Sequence, residues 1–225
     1  MYFKKNMTIA VGKKIGMTQI ENDGKFVGVS AVEILPLIVT QIKKKDKDGY
    51  SAIQFGVLDS NKKTKLKKPQ IGHLKKIKEK PNKFREFRII DDKDDISVLK
   101  VGEKINFDNF GEGDEVDISG MSIGRGFQGV IKRHHFHRGP KTHGSDHHRA
   151  PGSIGMCSFP ARVFKGKKLP GRDGVKNVKI KNLRIIKFYK EKSLMLLNGS
   201  VPGKKDSYIG IKLACKAKIE VHPIK

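Results

Sequence analysis

The residue types best suited to chemistry gather in one stretch. Six of the eight histidines, His134, His135, His137, His143, His147 and His148, fall within fifteen residues, with Cys157 a short way beyond. Imidazole and thiol at that density are zinc-type ligands. A metal site also needs rigid supporting elements and carboxylates or carbonyls that orient its imidazoles. Here Asp146 is the one acid between 121 and 172, set among eleven lysines and arginines that repel a dication. The same imidazoles between arginines can instead stack on bases or hydrogen-bond to phosphate and ribose. The residues therefore argue for no protein-held metal, and for nucleic acid over catalysis.

Two glycine motifs invite a nucleotide reading. "GRGFQG" (124–129) places Gly124, Gly126 and Gly129 at the dinucleotide-fingerprint spacing, after the strand-like "EVDIS". A Rossmann turn must open a helix that packs on a sheet, whereas the following "VIKRHHFHRGPKTHGSD" is basic throughout and broken at Gly139-Pro140. "GKKLPGRD" (166–173) misses a P-loop, because Arg172 and Asp173 stand where the phosphate lysine and the Mg2+-binding hydroxyl are needed. The glycines fit better as points where backbone approaches a phosphate without an intervening Cβ. Gly144, Gly152 and Gly155 belong with them.

Charge points the same way. The 225 residues hold 48 Lys+Arg against 23 Asp+Glu, a net charge of +25. Self-repulsion of that size gives a lone protein no stability, whereas a polyanion binds to it strongly. Arg125, Lys132, Arg133, Arg138, Lys141 and Arg149 form one half of the basic stretch, and Arg162, Lys165, Lys167, Lys168 and Arg172 the other. Residues 91–117 are the reverse, with ten acids against three lysines. No apolar run approaches the roughly 18 residues that span a membrane, and the lysine-bearing start leads into Gly12, Lys13 and Lys14 rather than an apolar secretory core. Two cysteines, Cys157 and Cys215, make no disulfide framework. RNA is favoured over duplex DNA: no recognition helix is visible for a major groove, while irregular basic segments suit folded RNA.

Strands must hold this stretch in place. "KFVGVSAVEIL" (25–35), "IVTQIK" (38–43) and "YSAIQFGVL" (50–58) are β-branched runs separated by turn signals at Asp23-Gly24, Pro36 and Asp48-Gly49. "NVKIKNLRIIKFY" (177–189), "SLMLLNGSV" (193–201) and "SYIGIKLA" (207–214) repeat the style. Six or seven short strands with tight turns predict a small barrel built from both chain ends. Segment 68–90 mixes a short helix with a basic turn at Pro81-Asn82. Segment 124–172 has no period of 2 or 3.6 and isolated apolar residues, so it predicts a functional loop that orders on a polyanion.

Five blocks of sequence stand out together: "GKKIGMTQI" (12–20), "FGEGDEVDISGMSIGRGFQGVIKR" (110–133), "THGSDHHRAPGSIG" (142–155), "VFKGKKLPG" (163–171) and "VPG" (201–203). They resemble the ribosomal protein L3 family of the large subunit, in its bacterial or organellar form. In the second block Phe110, Asp117, Gly120, Ser122, Gly124, Arg125, Gly126, Gly129 and Arg133 fall at the family spacing. The resemblance implies a mainly β fold: a translation-protein-like six-stranded barrel formed by 1–65 and 173–225, a small inserted α+β region with a return strand at 66–120, and an extended basic loop at 121–172. It implies a non-enzymatic constituent of the large ribosomal subunit that binds 23S-type rRNA, helps nucleate assembly and sends its loop toward the peptidyl transferase centre. A transient translation or assembly factor is the alternative, and a metal-dependent nuclease using the histidines is the more distant one. The RNA-binding set is then the cations and histidines above together with Lys13 and Lys14, with Arg149, Ser153 and Met156 at the loop tip. Met156 stands where some bacterial relatives carry a glutamine methylated on its amide, which cannot occur here. Expected partners are rRNA and neighbouring ribosomal proteins, with no membrane, no second copy of the chain and no cofactor, any structural Mg2+ being held by the rRNA.

Overall fold

The structure, a computed structural model, describes residues 9–22, 24–59, 66–75, 77–88, 100–105, 107 and 110–214. Along these residues run strands β1 (Ile9–Asn22), β2 (Lys25–Leu35) and β3 (Leu37–Lys43), helix α1 (Lys45–Asp48), β4 (Ala52–Val57), helix α2 (Lys68–His73), β5 (Lys83–Arg88), β6 (Lys104–Ile105), β7 (Glu115–Met121) and β8 (Gly126–Gln128). Helix α3 (Val130–His134), β9 (Gly171–Asp173), β10 (Asn177–Tyr189), β11 (Leu194–Asn198) and β12 (Tyr208–Leu213) complete the order. The chain is mainly β and divides into two compact units, Met1–Gly120 with Val178–Lys225, and Met121–Asn177.

In the first unit the hydrogen-bonded order is β1-β12-β7-β10-β11-β2, and β2 pairs back with β1, so the sheet closes on itself. Successive side chains of a strand point to opposite faces, and here both faces are used. Ala10, Val32 and Ile34 face the interior of the ring with Ile118, Ile185, Leu197, Ile209 and Ile211. Their neighbours Val11 and Leu35 face outward into a second core with Leu37, Val39, Ile53, Phe55 and Val57. A ring of six strands has a narrow interior, and Gly12 shows it: a Cβ there would lie 2.3 Å from Val32 Cγ1 and 3.2 Å from Ile211 Cδ1. The β1–β2 register slips between Lys14 and Gly16, a bulge of the kind that bends a strand around a closed sheet.

The second core belongs to a four-stranded sheet of order β5-β4-β3-β6. The segments at 38–43 and 50–58, expected in the ring, lie in this sheet, paired with each other and with β5 and β6. Their places in the ring are taken by β1 and β7. Alternation identifies a strand but does not say which sheet completes it. On its far side β3 turns Ile38 onto Leu74 and Ile77, just past α2. The acidic stretch is partly placed: Asp91, Asp92, Asp94, Asp95 and Asp108 lie outside the described residues. Within the first unit the Gly111 N–H donates to Asp114 Oδ2 at 2.8 Å and the Phe188 N–H to Glu112 Oε1 at 3.3 Å. Lys179 Nζ sits 2.8 Å from Asp117 Oδ2. Burial alone would raise the Asp117 carboxyl, but the hydrogen bonds from Lys179 and the Asn182 N–H hold it below its ordinary 3.8.

The lysines of the opening motif are part of this architecture. Lys13 is buried, its Nζ 3.5 Å from Asp59 Oδ2 and 3.7 Å from Asp206 Oδ1. The Tyr208 hydroxyl donates to the same Asp59 oxygen at 2.8 Å. Burial and this hydrogen bond push the Tyr208 phenol up to about 12. Lys14 Nζ donates to the Val201 and Gly203 carbonyls at 2.9 and 3.0 Å, tying β1 to the turn before β12. Both ammonium groups, expected to contact RNA, make these bonds inside the unit, Lys13 buried and Lys14 half-buried.

Candidate nucleic-acid interface

The unit Met121–Asn177 starts from a short stem. β8 and β9 pair in register, with Gly126 opposite Asp173, Phe127 opposite Arg172 and Gln128 opposite Gly171. Beside them the Ser122 N–H donates to the Lys176 carbonyl at 2.9 Å, and the Lys176 N–H to Ser122 Oγ at 3.1 Å. The Arg125 N–H donates to the Asp173 carbonyl at 2.9 Å while its guanidinium lies 3.3 Å from the Asp173 carboxylate. The limbs touch closely where Gly174, at φ +80°, would bring a Cβ to 2.1 Å from the Ile123 carbonyl oxygen. Gly124 belongs to the same packing. A Cβ there would meet Val175 Cγ2 at 2.7 Å, so the absence of a side chain lets the stem close, while the residue itself stays exposed.

Beyond the stem, α3 is followed by residues 135–170 without helix or strand. Internal contacts hold the ends of this segment. Arg133 Nη1 donates to the Leu169 carbonyl at 2.7 Å, and His134 Nε2 lies 3.1 Å from the same oxygen. His148 Nδ1 is 3.0 Å from the Pro140 carbonyl, and Ser153 Oγ donates to the Gly155 carbonyl at 3.0 Å. Gly144 and Gly152 have φ of +71° and +77°, a region that costs a residue with a Cβ, and Gly126, Gly129 and Gly155 have no atom within 3.4 Å of where a Cβ would stand.

The cations take the outside. Val130 is the one buried residue between 121 and 177. Lys132, Arg138, Lys141, Arg149, Arg162, Lys165, Lys167, Lys168 and Arg172 are exposed, as are His135, His137, His143 and His147, while Arg133 and His134 are half-buried against Leu169. His148 is exposed despite its carbonyl contact, and so is Arg125 despite its ion pair. Among the described residues no three His, Cys, Asp or Glu side chains come together to hold a metal. Cys157 is a free, exposed thiol, and Cys215 lies outside the described residues. Such an arrangement can neutralise a phosphate backbone along an extended surface. What charge counting missed is the apolar side of the loop: Phe127, Met156, Phe159 and Phe164 are 76%, 74%, 84% and 56% exposed. Their sequence signal was available, as aromatic residues interleaved with cations.

Comparison with known proteins gives this geometry its context. A family model described as Ribosomal protein L3 matches residues 39–194. The chain is 45% identical over 210 residues to the large ribosomal subunit protein uL3 of Halalkalibacterium halodurans, covering 92% of this chain and 98% of the relative. It is 47% identical to uL3 of a Geobacillus species, covering 92% and 97%, and 46% identical to uL3 of Streptococcus uberis over the same shares. The matched region takes in the whole stem and loop, and the relatives match over 92% of the chain, so this chain belongs to the ribosomal protein L3 family.

Proposed function

We propose that the chain is a structural, non-enzymatic constituent of a bacterial-type large ribosomal subunit, bound directly to its rRNA through the unit Met121–Asn177. One observation carries the reading: that unit holds eleven lysines and arginines between 121 and 172 against a single acid, and buries one residue. A segment with so little core cannot offset its own ordering entropy by burial, so its conformation is completed by the polyanion. Lysines and arginines neutralise phosphates, exposed glycines admit backbone close to them, and any Mg2+ in the contact is held by RNA oxygens.

In this reading the closed sheet is the translation-protein-like barrel of the family. The barrel, the inserted α+β region and the loop are the three parts of the chain, with the insertion reckoned from β3 rather than from residue 66. The segment around 149–157, with Arg149, Ser153 and Met156, is the part directed toward the peptidyl transferase centre, and the protein joins the subunit early in assembly beside other ribosomal proteins. Binding to large-subunit rRNA measured across salt tests the electrostatic basis. With six to ten phosphates engaged, affinity falls by about 10³ to 10⁵ between 50 and 200 mM salt. An isotherm flat across that range overturns the reading.

A further inference from the structure

The unit with one buried residue also carries nine of the sixteen large apolar side chains exposed among the described residues. Single exposed apolar side chains are ordinary on any protein surface. At the far turn of the loop they are organised. A Cβ on Gly155 would lie 3.8 Å from the Arg162 carbonyl oxygen, so the two limbs meet there and residues 156–161 form a turn between them. Phe159 stands in that turn, 84% exposed, the most exposed large apolar side chain among the described residues. At its base the Arg162 guanidinium lies over the Phe164 ring, 5.6 Å from the centroid, and Phe164 remains 56% exposed. Lys165, Lys167 and Lys168 follow at once, all exposed.

The geometry points to Phe159 and the Arg162–Phe164 pair as stacking platforms for unpaired RNA bases, with the adjoining lysines holding the phosphates between those bases. This rests on the RNA-binding reading above and names the part of the RNA that the turn takes. A free aromatic face and a guanidinium plane are surfaces on which any base can stack, and cations beside them hold the strand. Duplex RNA offers no such fit, because its bases are already stacked and its deep groove is closed to side chains. A protein partner fits less well, since the centre of a protein interface is depleted of charge whereas here three lysines and an arginine lie within four residues of Phe164.

The test compares two probes against the full-length protein: a single-stranded RNA of about twelve nucleotides, within the range such channels cover, and an abasic strand of the same length and charge. Phe159→Ala is expected to weaken binding of the base-bearing strand about tenfold and to leave the abasic strand and the salt slope unchanged. Phe159→Trp restores the affinity, and Phe159→Leu, apolar but not planar, does not. Phe164→Leu gives a loss of the same kind. Equal losses on both probes, no loss on either, or full affinity in Phe159→Leu would overturn stacking. If wild-type protein binds neither probe in a salt-dependent way, the RNA-binding reading itself fails, an outcome distinct from the loss of base preference alone.

Discussion

The two units put the same residue types to opposite uses. In the first, Lys13 is enclosed between Asp59 and Asp206, and Lys14 is spent on two carbonyls. In the second, Lys165, Lys167 and Lys168 reach solvent. The first unit has three clusters of buried apolar side chains, while the second has one buried residue. A basic residue is thus an architectural part where strands bring a carboxylate or a carbonyl to it, and is presented to solvent where the loop leaves it outside. The difference lies in the tertiary surroundings, and net charge alone does not reveal it.

The contrast is easiest to break at Asp59. Its side chain is fully buried beside Lys13, itself 9% exposed, and removing it leaves the buried ammonium with the more distant, exposed Asp206 carboxylate at 3.7 Å. Asp59→Ala should cost about 3–5 kcal/mol in urea unfolding; a loss under about 1 kcal/mol would put this group on a par with the exposed cations. Tyr208→Phe comes next. It removes the hydroxyl donated to Asp59 and should cost about 1.5–3 kcal/mol, the range for a hydrogen bond to a charged group. The pH dependence has a definite sign. Tyr208 holds its proton more tightly folded, up to about 12 against 10.0, so its contribution is complete below about pH 10 and is lost as pH rises toward 12. The Phe variant should lack that alkaline loss in a pH series of unfolding midpoints. The smallest effect is expected from the largest change: deleting 134–160 removes no residue of the three buried clusters and should leave the unfolding free energy within about 0.5 kcal/mol, while subunit maturation suffers. A deleted protein that fails to fold would show the loop to be part of the core.

Much of this was legible in the sequence because the signals are local. The β-branched run at 25–35 coincides with β2 and that at 177–189 with β10, since alternation and turn residues are written along a single segment. The loop was legible for the complementary reason, its prolines, glycines and charges leaving no period to follow. β1 was not recognised as a ring strand because Gly12, Gly16 and two adjacent lysines look like a turn or a ligand site. The burial of Gly12 and Lys13 depends on Val32 and Asp59, which the fold alone brings near. The membership of β3 and β4 was hidden likewise, because a strand's period fixes its faces and not its neighbours. In the loop, the cations were found by counting, whereas the exposure of Phe159 became visible once the limbs at Gly155 and Arg162 were seen to meet.

The pairing of Ile9 with Lys212 has a consequence in time. More than two hundred residues separate these partners along the chain, and contacts of such separation form slowly, after the entropy of closing the intervening length has been met. During synthesis β1 emerges long before β12 and waits for it. Until then β1 and β7 each present an unpaired edge, the kind of surface that recruits stray strands. The nascent protein is therefore prone to aggregate in the interval before β12 is released, and a chain terminated before Tyr208 would remain in that state.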